Sequence, residues 1–260
     1  MRDLAVTPAA DVLRDIRDGS PVLWRCMQVM AAGLVICLGL MLVDQRQIIG
    51  VSVWDKPAKF FLSLIVQFAT VSFALSLMPE KVRPRRAAIA MSIAAFGELA
   101  YITLRAAQGE ASHFNTSSLF ANIAYALMGL GAVTISLTAL FIGFKLWSLR
   151  RESLMHESAA LGLTLGMLIG TAAGIYLSQQ QGHWVGGEMS DAHGLGFFGW
   201  STSGGDLRVA HFIGLHTAQV LPLAALTGDR RWVYLAALAC IGLCAFTFAQ
   251  AVMGIPLLRG

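Results

Sequence analysis

Ala87-Ala88-Ile89-Ala90-Met91-Ser92-Ile93-Ala94-Ala95-Phe96-Gly97-Glu98-Leu99-Ala100-Tyr101-Ile102-Thr103-Leu104 is an apolar run long enough to cross a bilayer, and it carries one acid near its middle. A crossing needs roughly 20 mostly apolar residues. Holding a carboxylate at that depth costs at least ~2.5 kcal/mol, so Glu98 requires a compensating partner. It is the only acid inside any such run of the chain, and it marks where function is expected.

The rest of the composition agrees with a bilayer. Of 260 residues, 56% are hydrophobic and only 13% are charged, whereas soluble domains carry about 25% charged residues. Mean hydropathy is +0.65. The basic balance, with a pI near 9.1, reads as topology signal and not as affinity for nucleic acid. The first partner is the lipid bilayer. Cys37, Cys240 and Cys244 lie in apolar runs and Cys26 lies at an interface, so neither disulfides nor a Cys-x-x-Cys metal site are expected.

Seven crossings are read, at about 27–43, 58–78, 87–105, 118–146, 158–178, 209–227 and 232–256. Residues 27–260 thus form one all-α, seven-helix transmembrane domain. Residues 1–26 form a cytoplasmic amphipathic segment with no cleavable signal pattern. Its helix should start at Thr7-Pro8, with Val12, Leu13 and Ile16 on one face. Basic residues alternate between the connecting segments: 13 of the 19 Lys and Arg fall in the N-terminal segment and the 79–86, 145–157 and 228–231 connections. The positive-inside rule then places the N-terminus in the cytoplasm and the C-terminus outside. Gly162, Gly166, Gly170 and Gly174 recur every four residues, as in a close helix–helix seam. Pro222 should kink the sixth crossing.

Unusual residues collect on the outer side. The connection between the fifth and sixth crossings, Gln179 to Arg208, is long and rich in glycine and aromatic residues. A connector of that length is a functional lid or is disordered, and Trp184, Phe197, Phe198 and Trp200 favour the lid. Helical spacing sets polar stripes on four crossings. They are Lys56, Lys59, Ser63, Gln67 and Thr70; Glu98, Tyr101, Arg105 and Gln108; Asn115, Ser118, Asn122 and Tyr125; and Arg208, His211, His216 and Gln219. Such stripes point at each other or at water, never at lipid. They imply a polar hollow that opens outward and ends near Glu98. The alternative is a set of interhelical hydrogen bonds that only hold the bundle.

Three chemistries suit these residues. A metal such as Zn or another divalent ion could be held by His113, His183, His193, His211 and Asp191. His211 and His216 are five apart and diverge by about 140°, unlike the one-face pair of zinc helices. Haem b would need two facing imidazoles, with His113, His211 and His216 as candidates. Third, Glu98 could carry a proton in a transporter or act as a catalytic acid. Arg105 lies two turns above it, about 10 Å along the axis, so Lys59 or His216 is the more plausible partner. Arg105 and Arg208 would orient an anionic group, while Lys56, Lys59, Ser63, Gln67, Tyr101, Asn115, Asn122, Trp200, Asp206 and Gln219 would line the pocket. No nucleophile motif, phosphate loop or dinucleotide fingerprint is present.

Lys56-Pro57-Ala58-Lys59-Phe60 with Leu62-Ser63, Ser112-His113-Phe114-Asn115, and Gly204-Gly205-Asp206-Leu207-Arg208 running into His211-Phe212 and Gly214-Leu215-His216 resemble an uncharacterised family of bacterial seven-helix membrane proteins. The resemblance implies a bacterial inner-membrane location and supplies no activity. The expectation is an outward-opening pocket that binds a metal or haem and acts on a small or lipid-like molecule. The alternatives are a proton-coupled transporter or sensor using Glu98, and a structural subunit of a membrane complex. Homo-oligomerisation is open in each.

Overall fold

The computed structural model describes residues 9–115 and 118–259. The expected helix start at Thr7-Pro8 lies outside the described residues. The fold is all-helical apart from two short ribbons. Its helices are α1 (Ala9–Gly19), α2 (Pro21–Val43), α3 (Asp55–Ser76), α4 (Arg85–Gln108), α5 (Leu119–Trp147), α6 (Leu154–Ser178), α7 (Leu207–Ala225) and α8 (Arg230–Val252). Strands β1 (Gln47–Ile48) and β2 (Val51–Ser52) form one antiparallel ribbon, and β3 (Trp184–Val185) and β4 (Gly205–Asp206) form the other.

Local capping sets the boundaries, and it lengthens several crossings beyond their apolar runs. The Ser20 hydroxyl accepts the Leu23 N–H and Pro21 takes the first helical position, so α2 starts before Met27. Ser118, Ser153, Asp206 and Asp229 cap α5, α6, α7 and α8 in the same way. Each accepts one of the N–H groups that a helix start leaves unpaired. Gly109, at φ 71°, closes α4 in the left-handed conformation.

Six helices are long and apolar enough to cross a membrane: α2, α3, α4, α5, α6 and α8. The chain is therefore a multi-pass membrane protein by length and composition. The expected sixth crossing, α7, differs. It has 19 residues and contains Arg208, His211, His216, Gln219 and, in its last turn, Pro222. That polar content keeps it outside the set. Its packing is nevertheless intimate, because it runs antiparallel along α6 against the recurrent glycines. A Cβ at Gly162 would lie 3.2 Å from the Thr217 carbonyl oxygen, and one at Gly166 would lie 3.0 Å from the Ala218 nitrogen. At Gly170 it would lie 2.7 Å from the Leu215 nitrogen, and at Gly174 it would lie 2.8 Å from the His211 ring.

The main core joins α2, α3 and α4 with one side of α5 and α6, through Met30, Phe68, Leu75, Met91, Leu99, Ile142 and Leu163. A smaller cluster of Leu221, Val233, Ala237 and Cys240 joins α7 to α8. α1 lies against α3, where Ser72 donates to the Ile16 carbonyl. The four cysteines are unpaired.

The seam yields a direct test. Gly170→Leu must displace α7 backbone, and overpacking of this kind costs about 1–3 kcal/mol. The expected result is a clearly lowered thermal midpoint in detergent. Gly242→Ala meets nothing within 4 Å and should leave that midpoint nearly unchanged.

Candidate functional site

Two polar assemblies meet at the end of the bundle where α4 and α6 finish and α3 and α7 begin. The first is built by the connection between α6 and α7. Asp206 is buried, caps α7 and accepts from the Ser201 N–H at 3.0 Å. Arg208 folds back one turn to bridge Asp206 at 2.6 Å and Asp191 at 2.9 Å, and it donates to the Gly199 carbonyl at 2.6 Å. His183 completes the set, with Nε2 3.1 Å from Asp191. The Leu207 N–H donates to the His183 carbonyl, which continues the β3–β4 ribbon. The long connection is thus an ordered cap held by one guanidinium between two carboxylates.

Burial draws the His183 imidazole below its ordinary value, against the opposing pull of the Asp191 contact. His183 is therefore neutral and donates Nε2–H to Asp191. Burial also opposes the Asp191 charge, but His183 and Arg208 outweigh it and hold that carboxyl below the usual carboxylate range.

The second assembly centres on Lys56 and Glu98. Glu98 is 6% exposed at the middle of α4. Its Oε1 has no hydrogen-bond partner, and its other edge leans toward the Ala132 backbone. A Cβ at Gly131 would lie 2.9 Å from Oε1, so glycine there lets the carboxyl rest against α5. The half-buried Lys56 ammonium is within electrostatic reach of Glu98, Asp191 and Arg208. Among the described residues nothing hydrogen-bonds to it. His113 packs between Phe60 and Tyr125, with ring centroids at 5.6 and 5.9 Å. Burial, and then the Lys56 charge, keep its imidazole well below the ordinary range. The Tyr101 hydroxyl is buried without a partner.

The stripes on α3 and α7 face each other, and along them Ser63 is exposed while Gln67, Phe212 and His216 are half-buried. Lys59 pairs with Asp55 at 2.6 Å and donates to the Phe198 carbonyl at 3.3 Å. Phe198 stacks on Trp200 at 4.5 Å, and both rings meet Phe212. Deeper, Gln219 donates to Thr70 at 2.7 Å and accepts from His216 Nδ1 at 2.9 Å. Ser63 and Gln67 lie between these two levels. Ser63 is exposed and donates to the Lys59 carbonyl, and Gln67 has only a 3.7 Å contact with Met167 sulfur.

Several expectations are corrected. Among the described residues, no group of three or more His, Cys, Asp or Glu is placed to hold a metal ion. Of His113, His183, His193, His211 and Asp191, only His183 and Asp191 touch. His193 is exposed. His211 turns away along the glycine seam and donates Nδ1–H to the Gly170 carbonyl at 2.7 Å, because the missing side chains leave room for its ring. The haem expectation gains no support either, since His113, His211 and His216 make their hydrogen-bond and ring contacts with different neighbours. Arg105 is occupied by Glu110 and Gln108, and Arg208 by its two aspartates, so neither offers a free fork to an anion. Asn122 is exposed on α5, one register step away from the stripe. Asn115 bonds to the Ala111 carbonyl.

Some organising residues carried too weak a sequence signal to be singled out. Glu110 takes Arg105 out of the site. Asp44 receives both the Arg46 guanidinium and the Trp54 indole N–H. Glu157, buried in the first turn of α6, binds Tyr234 and Arg230 of α8. The apolar run placed at 158–178 begins one residue after it.

No family model, curated protein or solved structure matches the chain. The resemblance drawn from the three motif segments stands on those residues alone.

The cap has a signed pH dependence. Below pH 6.5, the ordinary imidazole value, an opened loop takes up a proton on His183 that the closed loop excludes. Stability of the cap therefore falls as pH drops. It falls further as pH passes through the depressed Asp191 value, where the closed loop loses its charge pair. Hydrogen exchange of residues 183–206 should show protection at pH 7 that declines toward pH 5. His183→Gln, which keeps a donor without a titration, should flatten the upper part of that decline.

Proposed function

We propose that the chain is a seven-crossing bacterial inner-membrane protein, N-in and C-out, which binds a small polar molecule at its outward end and couples that binding to a proton on Glu98. It is a transporter or a sensor. α7 serves as the sixth of these crossings, because its polar residues are taken up by α6, α3 and the cap and need not face lipid. The alternation of basic connections supports the orientation.

The observation that carries this reading is the Glu98 carboxyl, buried at mid-helix with an oxygen left unpaired, opposite an ammonium that is itself unbonded. A buried charge without a hydrogen-bonded partner is strongly unfavourable. A group retained in that state is suited to gain and lose a proton, or to receive a ligand that completes its bonds. Lys56 supplies the opposite charge, so a ligand with both an anionic and a cationic group fits between them. The metal and haem readings have no comparable support in the side-chain geometry.

Infrared difference spectra of the protein in nanodiscs, recorded across pH, test the proton site without knowledge of the ligand. One of the carboxyl bands that titrate in the wild type should belong to Glu98 and vanish in Glu98→Gln. Lys56→Met should move that titration, because the nearest opposite charge is gone. Gly131→Ala should move it too, by forcing the carboxyl off α5. A spectrum unchanged by Glu98→Gln would remove the proposal.

A further inference from the structure

The strip between α3 and α7 has fixed hydrogen-bonding polarity. Thr70 donates to the Val66 carbonyl, so its oxygen is free to accept from Gln219 Nε2. That bond orients the Gln219 amide, and its oxygen then accepts from His216 Nδ1. The proton of a neutral His216 is thereby held on Nδ1, which leaves the Nε2 lone pair as an acceptor. The Ser63 proton is engaged by the Lys59 carbonyl, so Ser63 also presents lone pairs. Gln67, held only by the Met167 sulfur contact, can supply one donor and one acceptor.

The walls and rims of this strip define the occupant further. Phe212 lies 4.1 Å from the His216 ring, with Phe198 and Trp200 above it. These rings, tied down by Lys59, roof it on the side of the cap. One rim is the exposed pair Leu62 and Ser63, and the other is exposed Val220 and Leu223. Both exposed pairs lie within helices, so the half-buried Gln67 and His216 between them are reached from the side of the bundle.

We infer that this slot binds the hydroxylated ring of a lipid, a quinol or phenol head on an apolar tail, with its O–H donating to His216 Nε2 and its ring against Phe212. A lipid bearing only carbonyl or ether oxygens cannot satisfy Nε2, so the slot selects the hydroxyl form. Gln219 is a positioning residue, because it acts on the ligand only through the His216 tautomer. The slot does not include Glu98, and its test is independent of the infrared titration.

The experiment is calorimetric titration of the protein in nanodiscs with 4-dodecylphenol and with its methyl ether, using empty nanodiscs to subtract partitioning. The phenol should bind about tenfold more tightly, as expected for one added hydrogen bond. His216→Leu should abolish the preference. Gln219→Leu should narrow it while binding of the ether stays the same. Ser63→Phe, a change on an exposed rim, should block both ligands, and it serves if His216→Leu does not fold. Equal affinity of the wild type for phenol and ether, a preference that survives His216→Leu, or undiminished binding to Ser63→Phe would each overturn the inference.

Discussion

Backbone-to-backbone contact between α6 and α7 is the constraint on which the rest of the molecule depends. α7 carries Arg208, His211, His216, Thr217 and Gln219 and, among the described residues, is the long helix too polar to join the six apolar spans, so these side chains need protein neighbours. The four glycines of α6 let it approach until its nitrogens and carbonyls nearly touch its neighbour. In lipid there is no hydrophobic drive to pair helices, so close packing of small residues must supply it. Once α7 is seated, its other face presents Phe212, His216 and Gln219 to α3, and its first turn presents Arg208 to the cap.

Electrostatics then divide the capped end of the bundle into satisfied and unsatisfied parts. Arg208 is locked between Asp191 and Asp206, Lys59 is paired with Asp55, and Arg105 is paired with Glu110. These pairs are local, most of them within five residues, and they fix the shape of the cap and the helix ends. Among the described residues, the buried Glu98 and the half-buried Lys56 come from different helices and interact without a hydrogen bond between them. A fold that satisfies its easy pairs and leaves one long-range pair open concentrates its reactive potential there.

Much of this architecture could be read from the residues. Apolar length located the six strongly hydrophobic helices, and the four-residue glycine period identified the seam. Glu98 stood out because an acid in an apolar run has no bland reading. Helical spacing put Thr70 and Gln219 on polar stripes, and the structure joins the two by a hydrogen bond. The metal expectation failed because spacing says which face a histidine occupies and not which neighbour it meets. His211 is drawn to a carbonyl that only the absence of a side chain at Gly174 makes reachable. The Arg105 pairing was hidden for a similar reason: its partner, Glu110, lies just past the helix end, where a left-handed glycine turns the chain back. Asn122 shows how a single register step on a long helix separates a pocket wall from an exposed face.

The Asp44, Arg46 and Trp54 cluster has a mechanical consequence. Arg46 grips Asp44 at the end of α2 and donates to the Ala107 carbonyl at the end of α4, while Trp54, at the start of α3, donates to the same aspartate. Three helix tips are thereby clasped into one stiff rim. Movement at this end of the bundle is then left to the opposite lip, where α7 begins beneath its cap.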